Sequence, residues 1–225
     1  MVILLSMPTT LRHKIILLSI FILAFLVRVY QLPSLPSLNP DEAALGYNAY
    51  SLLNTGKDEH GISWPLHFLS FGDYKPGGYV YTDLPFIKLM GLTPLAVRLP
   101  NLIFSFLSIY ILYKLILLLT LDFKLSSLSA FILTISPWHI HFSRGAWESS
   151  TALFFLLLGI FWFYSYIVKR KNYFLYLFPI PVAFSFYFYH SVRVIAPCLF
   201  LVYFIIFIKK LLRPQFFICL SFCGN

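Results

Sequence analysis

The stretch IILLSIFILAFLVRV, residues 15–29, decides the fold class of this chain. It is apolar throughout until Arg28, and the basic residues Arg12 and Lys14 stand directly before it. The residues around Arg28 offer no small-x-small cleavage site, so we expect the stretch to persist as a first membrane span rather than a signal peptide. Such a span is helical, because an open strand edge would leave backbone groups unpaired in lipid.

The composition of the whole chain supports the same interpretation. Of its 225 residues, 60% are hydrophobic, 20% are aromatic and only 11% are charged. Soluble domains carry about 25% charged residues. A water-soluble domain of this length has too little interior for so much apolar surface, whereas a bilayer accommodates it.

Outward from the first stretch, the chain alternates between apolar runs and polar connections. The fold class predicted is an all-α, multi-pass membrane protein with one domain over residues 1–225. A further apolar run starts at Phe216 and stops at Asn225, so we expect the chain to be C-terminally truncated. The predicted spans are 15–29, 99–119, 126–137, 151–168, 173–189 and 194–208, with a long outer loop at 31–94.

The net charge of +9 follows membrane topology rather than nucleic-acid binding. Lys and Arg cluster in short connections on one side of the predicted spans, which places the N-terminus in the cytoplasm. No basic stripe with interleaved polar residues is present, so nucleic acid is not an expected partner.

Four arginines depart from this bias, because they stand at or near the predicted outer ends of spans. Each of them has a plain explanation, since arginine side chains reach from a span end to the lipid headgroups. Four together also suit a phosphate oxyanion, which a forked guanidinium binds well. Both interpretations remain open from the residues alone. The four are Arg28, Arg98, Arg144 and Arg193.

The outer loop opens with a helix start at Asn39-Pro40. Asn39 is a suitable N-cap and Pro40 a suitable first residue, so Asp41 and Glu42 fall in the first turn, where the helix dipole favours carboxylates. The helix is predicted to run to Leu53. Capping alone accounts for the two carboxylates, but a carboxylate that faces several arginines also suits a general base.

A second amphipathic stretch, residues 76–90, is rich in aromatic residues and is predicted to lie along the membrane interface. His139 and His141 are a weak candidate metal pair, because their i, i+2 spacing fits one face of a strand and no cysteine or paired carboxylate completes the site. No metal site is therefore predicted. Glu148 is either a second acid or a solvated loop residue, and the solvated residue is the preferred interpretation.

In order along the chain, these residues resemble the membrane glycosyltransferases of the GT-C fold, specifically the protein O-mannosyltransferase and lipid A aminoarabinose transferase group. The resemblance covers residues 15–200 and rests on the ordered set rather than on any one piece. The pieces are Asn39-Pro40-Asp41-Glu42-Ala43, Tyr47-Asn48-Ala49, Asn54-Thr55-Gly56-Lys57-Asp58, Lys75-Pro76, Ala96-Val97-Arg98-Leu99-Pro100, Ser136-Pro137-Trp138-His139, Ser143-Arg144 and Tyr189-His190-Ser191-Val192-Arg193.

The resemblance implies roles for particular residues. Asp41 and Glu42 match the acidic pair of the family, with Asp41 as the catalytic base. Gly77 stands where many relatives have a second proline, which makes the match at the neighbouring Lys75 less close. Four positions match basic residues that hold the donor phosphate, and two match residues that orient the acceptor or the phosphate. These are Lys75, Arg98, Arg144 and Arg193 for the phosphate, and Tyr189 and His190 for orientation.

The implied reaction transfers a sugar from a polyprenyl-phosphate donor to a hydroxyl acceptor at the outer membrane face, with inversion and without a metal or other cofactor. The acceptor is a protein, a glycolipid or a wall polymer, and the expected location is a prokaryotic cell membrane, with bilayer lipid as a further partner. A lipid transporter or flippase component and a non-catalytic membrane protein are the alternatives. The sugar, the prenyl chain length and the oligomeric state are not fixed by the sequence.

Overall fold

The computed structural model describes the backbone of residues 11–211 and the side chains of residues 11–205. The chain divides into two compact units, Met1–Tyr189 and His190–Asn225. The further apolar run predicted from Phe216 lies outside the described residues.

Helices dominate both units. The second unit contains one described helix, α10, at Val192–Leu211. The first unit contains two short strands, β1 at His67–Ser70 and β2 at Asp73–Pro76, which pair antiparallel. Its helices are α1 Leu11–Val29, α2 Pro40–Thr55, α3 Gly78–Met90, α4 Pro94–Thr120, α5 Phe123–Ile135, α6 Pro137–Ser143, α7 Glu148–Lys169, α8 Tyr173–Leu177 and α9 Pro179–Phe188.

Helices α4 and α7 are long and apolar enough to cross a bilayer, judged by length and composition. Three shorter apolar helical segments accompany them, at Phe123–Ile135, Tyr173–Phe188 and Val192–Ile205. The core where α1, α4 and α5 meet is built from small and branched side chains with one tyrosine. Its buried members are Ile20, Ala24, Ile109, Tyr113 and Ala130.

Two predicted spans differ from the structure because proline interrupts them. The run 126–137 ends as α5 at Ile135, and Ser136 then caps α6, which begins at Pro137. The run 173–189 is divided between α8 and α9, where Phe178 precedes Pro179. Proline lacks a backbone N–H and is tolerated in the first turn of a helix, so each proline marks a new start.

The predicted outer loop contains the expected helix and one unexpected hairpin. Helix α2 begins at Pro40 and ends before Gly56, whose φ of +68° closes the helix in a left-handed conformation. Between β1 and β2, Phe71 and Gly72 both have positive φ, +52° and +81°. Two consecutive positive values are typical of the tight turns that join paired strands. The second predicted helix begins at Gly78 rather than Pro76, because Pro76 closes the hairpin.

Candidate functional site

The first turn of α2 holds the two predicted acidic residues in a capping box. The Glu42 backbone N–H donates to Asn39 Oδ1 at 2.8 Å, and the Asn39 backbone N–H donates to Glu42 Oε2 at 3.1 Å. Pro40 occupies the first helical position. These contacts satisfy backbone donors that a helix start otherwise leaves unpaired, so they fix the orientation of the turn that carries Asp41.

Glu42 is the centre of a buried ion pair. Its side chain is 1% exposed and its two oxygens accept from Arg98 Nε and Nη2, both at 2.8 Å. Glu42 Oε1 also accepts from the Ala146 backbone N–H at 2.8 Å. This residue therefore joins the start of α2 to α4 and to the connection between α6 and α7.

Arg98 is enclosed by the same arrangement. Its side chain is 0% exposed, and its remaining terminal nitrogen, Nη1, donates to the Leu32 carbonyl at 2.8 Å. Sequence analysis predicted that Arg98 binds the donor phosphate and that Glu42 takes part in catalysis. In the structure these two side chains are buried against each other and hydrogen-bonded to the protein. This arrangement holds the turn that carries Asp41, and roles of the pair toward substrate stay predictions.

Asp41, by contrast, faces outward. Its side chain is 45% exposed, and Oδ1 accepts a short hydrogen bond from Lys75 Nζ, whose side chain is 20% exposed. Lys75 lies on β2 next to the turn, and its Nζ also stands 5.9 Å from the centre of the Phe71 ring. The hairpin, which was not predicted from the sequence, thus positions Lys75 beside Asp41.

The junction between the hairpin and α3 requires glycine at positions 77 and 78. The Gly77 backbone N–H donates to the Leu66 carbonyl at 3.1 Å, a bond that proline cannot make. A Cβ on Gly77 would stand 2.8 Å from that carbonyl, and one on Gly78 would stand 2.7 Å from the Tyr187 carbonyl. Only glycine allows this close approach beside Lys75.

Arg144 and Arg28 bind the ends of helices. Arg144 donates through Nη1 to the Val27 carbonyl at 2.8 Å and through Nη2 to the carbonyls of Tyr30 and Leu35 at 2.6 and 3.0 Å. Arg28 donates to the Thr134 carbonyl at 3.1 Å and to its neighbour Leu133. The last carbonyls of a helix lack intrahelical partners, and a cation beside them is favourable. Arg144 therefore caps α1, and Arg28 of α1 caps α5.

The two histidines lie on a helix, α6, where residues at i and i+2 do not share a face. His139 is buried and His141 is exposed on α6. His139 Nδ1 is 2.8 Å from Arg28 Nη2, and a guanidinium only donates, so the imidazole proton lies on Nε2. Burial, together with the nearby Arg28 charge, lowers the pKa of His139 to about 3.

Asn101, which sequence analysis did not select, shapes the connection that reaches Glu42. It lies one turn after Arg98 on α4, and its Nδ2 donates to the carbonyls of Phe142 and Gly145 at 2.6 and 2.5 Å. Its Oδ1 accepts from Thr151 at 3.1 Å. The sequence did contain a signal for Asn101. It is an amide within an apolar span, where a buried polar group needs a hydrogen-bond partner from the protein.

Asp83 is a second residue that sequence analysis missed. It lies on the buried stripe of α3 between Tyr79 and Ile87 and is 0% exposed. Neither of its carboxyl oxygens has a hydrogen-bond partner among the described residues. Burial raises its pKa well above the usual value, and the Glu148 charge adds to the increase. The sequence did contain a signal for Asp83, because it is a charged residue at a position where the helical repeat places apolar core residues.

The remaining predicted residues lie around the boundary of the two units. Tyr189 is the last residue of the first unit. His190 and Arg193 belong to the second unit, where the Arg193 backbone N–H donates to the His190 carbonyl at 3.0 Å just as α10 begins. Their roles toward substrate stay predictions.

Comparison with known proteins identifies a family. The model of the dolichyl-phosphate-mannose-protein mannosyltransferase family matches residues 18–213, which is most of the chain. Searches of the curated proteins and of the solved structures found no match. With the helical architecture and its apolar helices, the match confirms an integral membrane protein of GT-C type. The chain belongs to the dolichyl-phosphate-mannose-protein mannosyltransferase family.

Proposed function

We propose that this protein transfers a mannosyl group from a polyprenyl-phosphate donor to a hydroxyl of a protein acceptor, with Asp41 as the general base. The observation that carries the proposal is the contrast within one helix turn. Asp41 is 45% exposed beside Lys75, on a turn that the buried Glu42–Arg98 pair holds in place. The family supplies the donor and acceptor classes.

The proposed reaction is a single displacement. Asp41 takes the proton of the acceptor hydroxyl while that oxygen bonds to the anomeric carbon of the sugar. The bond from the anomeric carbon to the phosphate oxygen breaks, and the polyprenyl phosphate leaves with the electron pair. Attack from the face opposite the leaving group inverts the anomeric centre. The general base acts in the transition state, where it accepts the proton of the attacking hydroxyl.

Lys75 is the cation best placed to act with Asp41. An ammonium group has three donors, and the bond to Asp41 uses one of them. The remaining donors are proposed to contact the donor phosphate, where a preorganised positive charge stabilises the negative charge that develops on the leaving group. Arg193 remains a proposed phosphate ligand, and Tyr189 and His190 remain proposed orienting residues, on the resemblance alone.

The proposed topology places this chemistry on the outer side of the membrane, with the N-terminus in the cytoplasm. The basic clusters between the predicted spans support it, since Lys and Arg favour the cytoplasmic side. The long segment that contains α2, the hairpin and α3 then lies outside, where a lipid-linked donor in the outer leaflet meets an acceptor.

The test compares Asp41→Asn with Asp73→Asn, a matched change at an exposed carboxylate of the hairpin that carries Lys75. Transfer of radiolabelled mannose from a polyprenyl-phosphate donor to a peptide that contains serine and threonine is measured in membranes. A general base contributes roughly 100- to 10,000-fold, so Asp41→Asn should lower the rate by that factor and Asp73→Asn should leave it within about twofold. Equal rates in the two variants would show that Asp41 is not the base.

A further inference from the structure

Two arginines at the predicted outer end of α1 carry charges that no carboxylate compensates. Among the residues that the structure describes, Arg28 and Arg144 have no ion-pair partner of the kind that Lys75 and Arg98 have. Their partners are backbone carbonyls and a neutral histidine. A helix end supplies only about half an elementary charge, so positive charge remains at this point.

A groove adjoins Arg144. It has a volume of about 520 Å³, and most of its lining is apolar. Two polar side chains interrupt that lining, one a guanidinium and the other an exposed imidazole. The lining residues are Leu35, Pro36, Pro137, Ile140, His141 and Arg144.

The position of the groove relative to the membrane follows from its two walls. One wall is the turn just after α1, and the other is α6, which begins just after α5. Exposed aromatic residues, Tyr30 and Trp138, stand beside these two walls in the chain. Aromatic residues of this kind concentrate at the level of the lipid headgroups.

Arg144 is held in place and still has a donor to offer. Both of its terminal nitrogens donate to carbonyls of the segment from Val27 to Leu35, which fixes the plane of the guanidinium. Among the described residues, Nε has no such partner. A fixed guanidinium with a free N–H beside an apolar groove is suited to a lipid phosphate, because a planar guanidinium forms strong charge-assisted hydrogen bonds to phosphate oxygens.

We propose that this groove binds an anionic phospholipid of the outer leaflet. Its phosphate contacts Arg144 and His141, and its acyl chain lies along Leu35, Pro137 and Ile140. The glycosyl donor is not the occupant that we assign. None of the lining residues belongs to α2, the hairpin or α3, which hold Asp41 and Lys75. The lipid site is therefore built from residues other than those of the proposed catalytic site.

The test measures lipid binding to the full chain in a zwitterionic detergent by native mass spectrometry. The probes are dioctanoyl phosphatidylglycerol and dioctanoyl phosphatidylcholine. We expect one saturable phosphatidylglycerol molecule per chain, bound at least about tenfold more tightly than phosphatidylcholine. Arg144→Gln and Ile140→Glu should each weaken this binding at least about tenfold, and Lys124→Gln, at an exposed cation on the opposite end of α5, should not.

Competition experiments separate the other occupants. Farnesyl phosphate is the first competitor. If it displaces phosphatidylglycerol at a concentration below the one at which phosphatidylglycerol itself binds, the groove belongs to the donor lipid. Displacement by millimolar inorganic phosphate would indicate a free-anion site. Either result overturns the proposal, as does unchanged binding in Ile140→Glu. That variant keeps the arginine cap, so it decides the question even if Arg144→Gln fails to fold, which helical circular dichroism would reveal.

Discussion

Asp41 and Glu42 are adjacent carboxylates in one helix turn, and the fold places them in opposite environments. Glu42 is 1% exposed and is held by Arg98, by the Ala146 N–H and by its own capping box. Asp41 is 45% exposed and has one charged partner, Lys75. One side chain faces the core and connects three parts of the molecule, while the other faces the space where a substrate can approach.

The comparison teaches how a membrane protein separates stability from chemistry at neighbouring positions. A buried charge is tolerated only when it is paired and hydrogen-bonded, so Glu42 is fully committed to the structure. An exposed charge contributes little to stability, so Asp41 is free to meet substrate. Arg98 is likewise committed to the structure, because it is buried and its three nitrogens donate to Glu42 and to the Leu32 carbonyl.

The largest expected effect is the loss of stability on changing Glu42. Glu42→Gln leaves the Arg98 charge buried without a counter-charge, and breaking a buried ion pair from one side costs about 3–5 kcal/mol. The free energy of unfolding, from titration with a denaturing detergent, should fall by that amount. Asp73→Asn serves as the exposed control and should change it by less than about 0.5 kcal/mol. A loss as small as the control would show that the pair does not hold α2 in place.

Asp83 sharpens the comparison, because it is buried like Glu42 but has no hydrogen-bond partner in the part of the chain that the structure describes. Its pKa is raised in the folded protein, so that state keeps a proton that the unfolded chain releases near pH 4. Its stabilising contribution is complete below that pH and is lost as pH rises toward the folded pKa. The free energy of unfolding should fall by up to about 1.4 kcal/mol per pH unit in this window.

Asp83→Asn removes the titrating group and should flatten this part of the pH profile, measured by unfolding between about pH 4 and pH 8. Glu148 contributes to the raised pKa, so the profile of Glu148→Gln should lie between those of the wild type and Asp83→Asn. An unchanged slope in Asp83→Asn would mean that Asp83 is not the protonated group.

The smallest expected effect concerns the exposed pair. In a double-mutant cycle of Asp41→Asn and Lys75→Met, the coupling free energy should be about 0.2–1 kcal/mol, the usual range for exposed pairs. It should decrease when salt rises from about 0.05 to 0.5 M, because mobile ions screen exposed charges. A coupling as large as that between Glu42 and Arg98 would mean that Asp41 also serves the structure, and would weaken the contrast on which the proposed base rests.

Much of the candidate site was predictable where the determinant was local. Asn39, Pro40 and the following carboxylates defined the start of α2, and Gly56 its end, because capping depends on a few consecutive residues. The apolar runs predicted membrane helices for the same reason. The ordered motifs predicted the family that the comparison confirms.

The sequence alone therefore determined the membrane class, the approximate position of the long apolar helices α4 and α7, and the turn that carries Asp41. The tertiary structure decided which neighbour is exposed, which cation reaches it, and which arginines are occupied by the protein itself. Arg98 binds Glu42, which is 56 positions away in the sequence. Arg144 binds the carbonyls at the end of α1, which are more than 100 positions away. Backbone carbonyls are the same in every residue, so no side-chain pattern in a sequence shows which arginine will bind them.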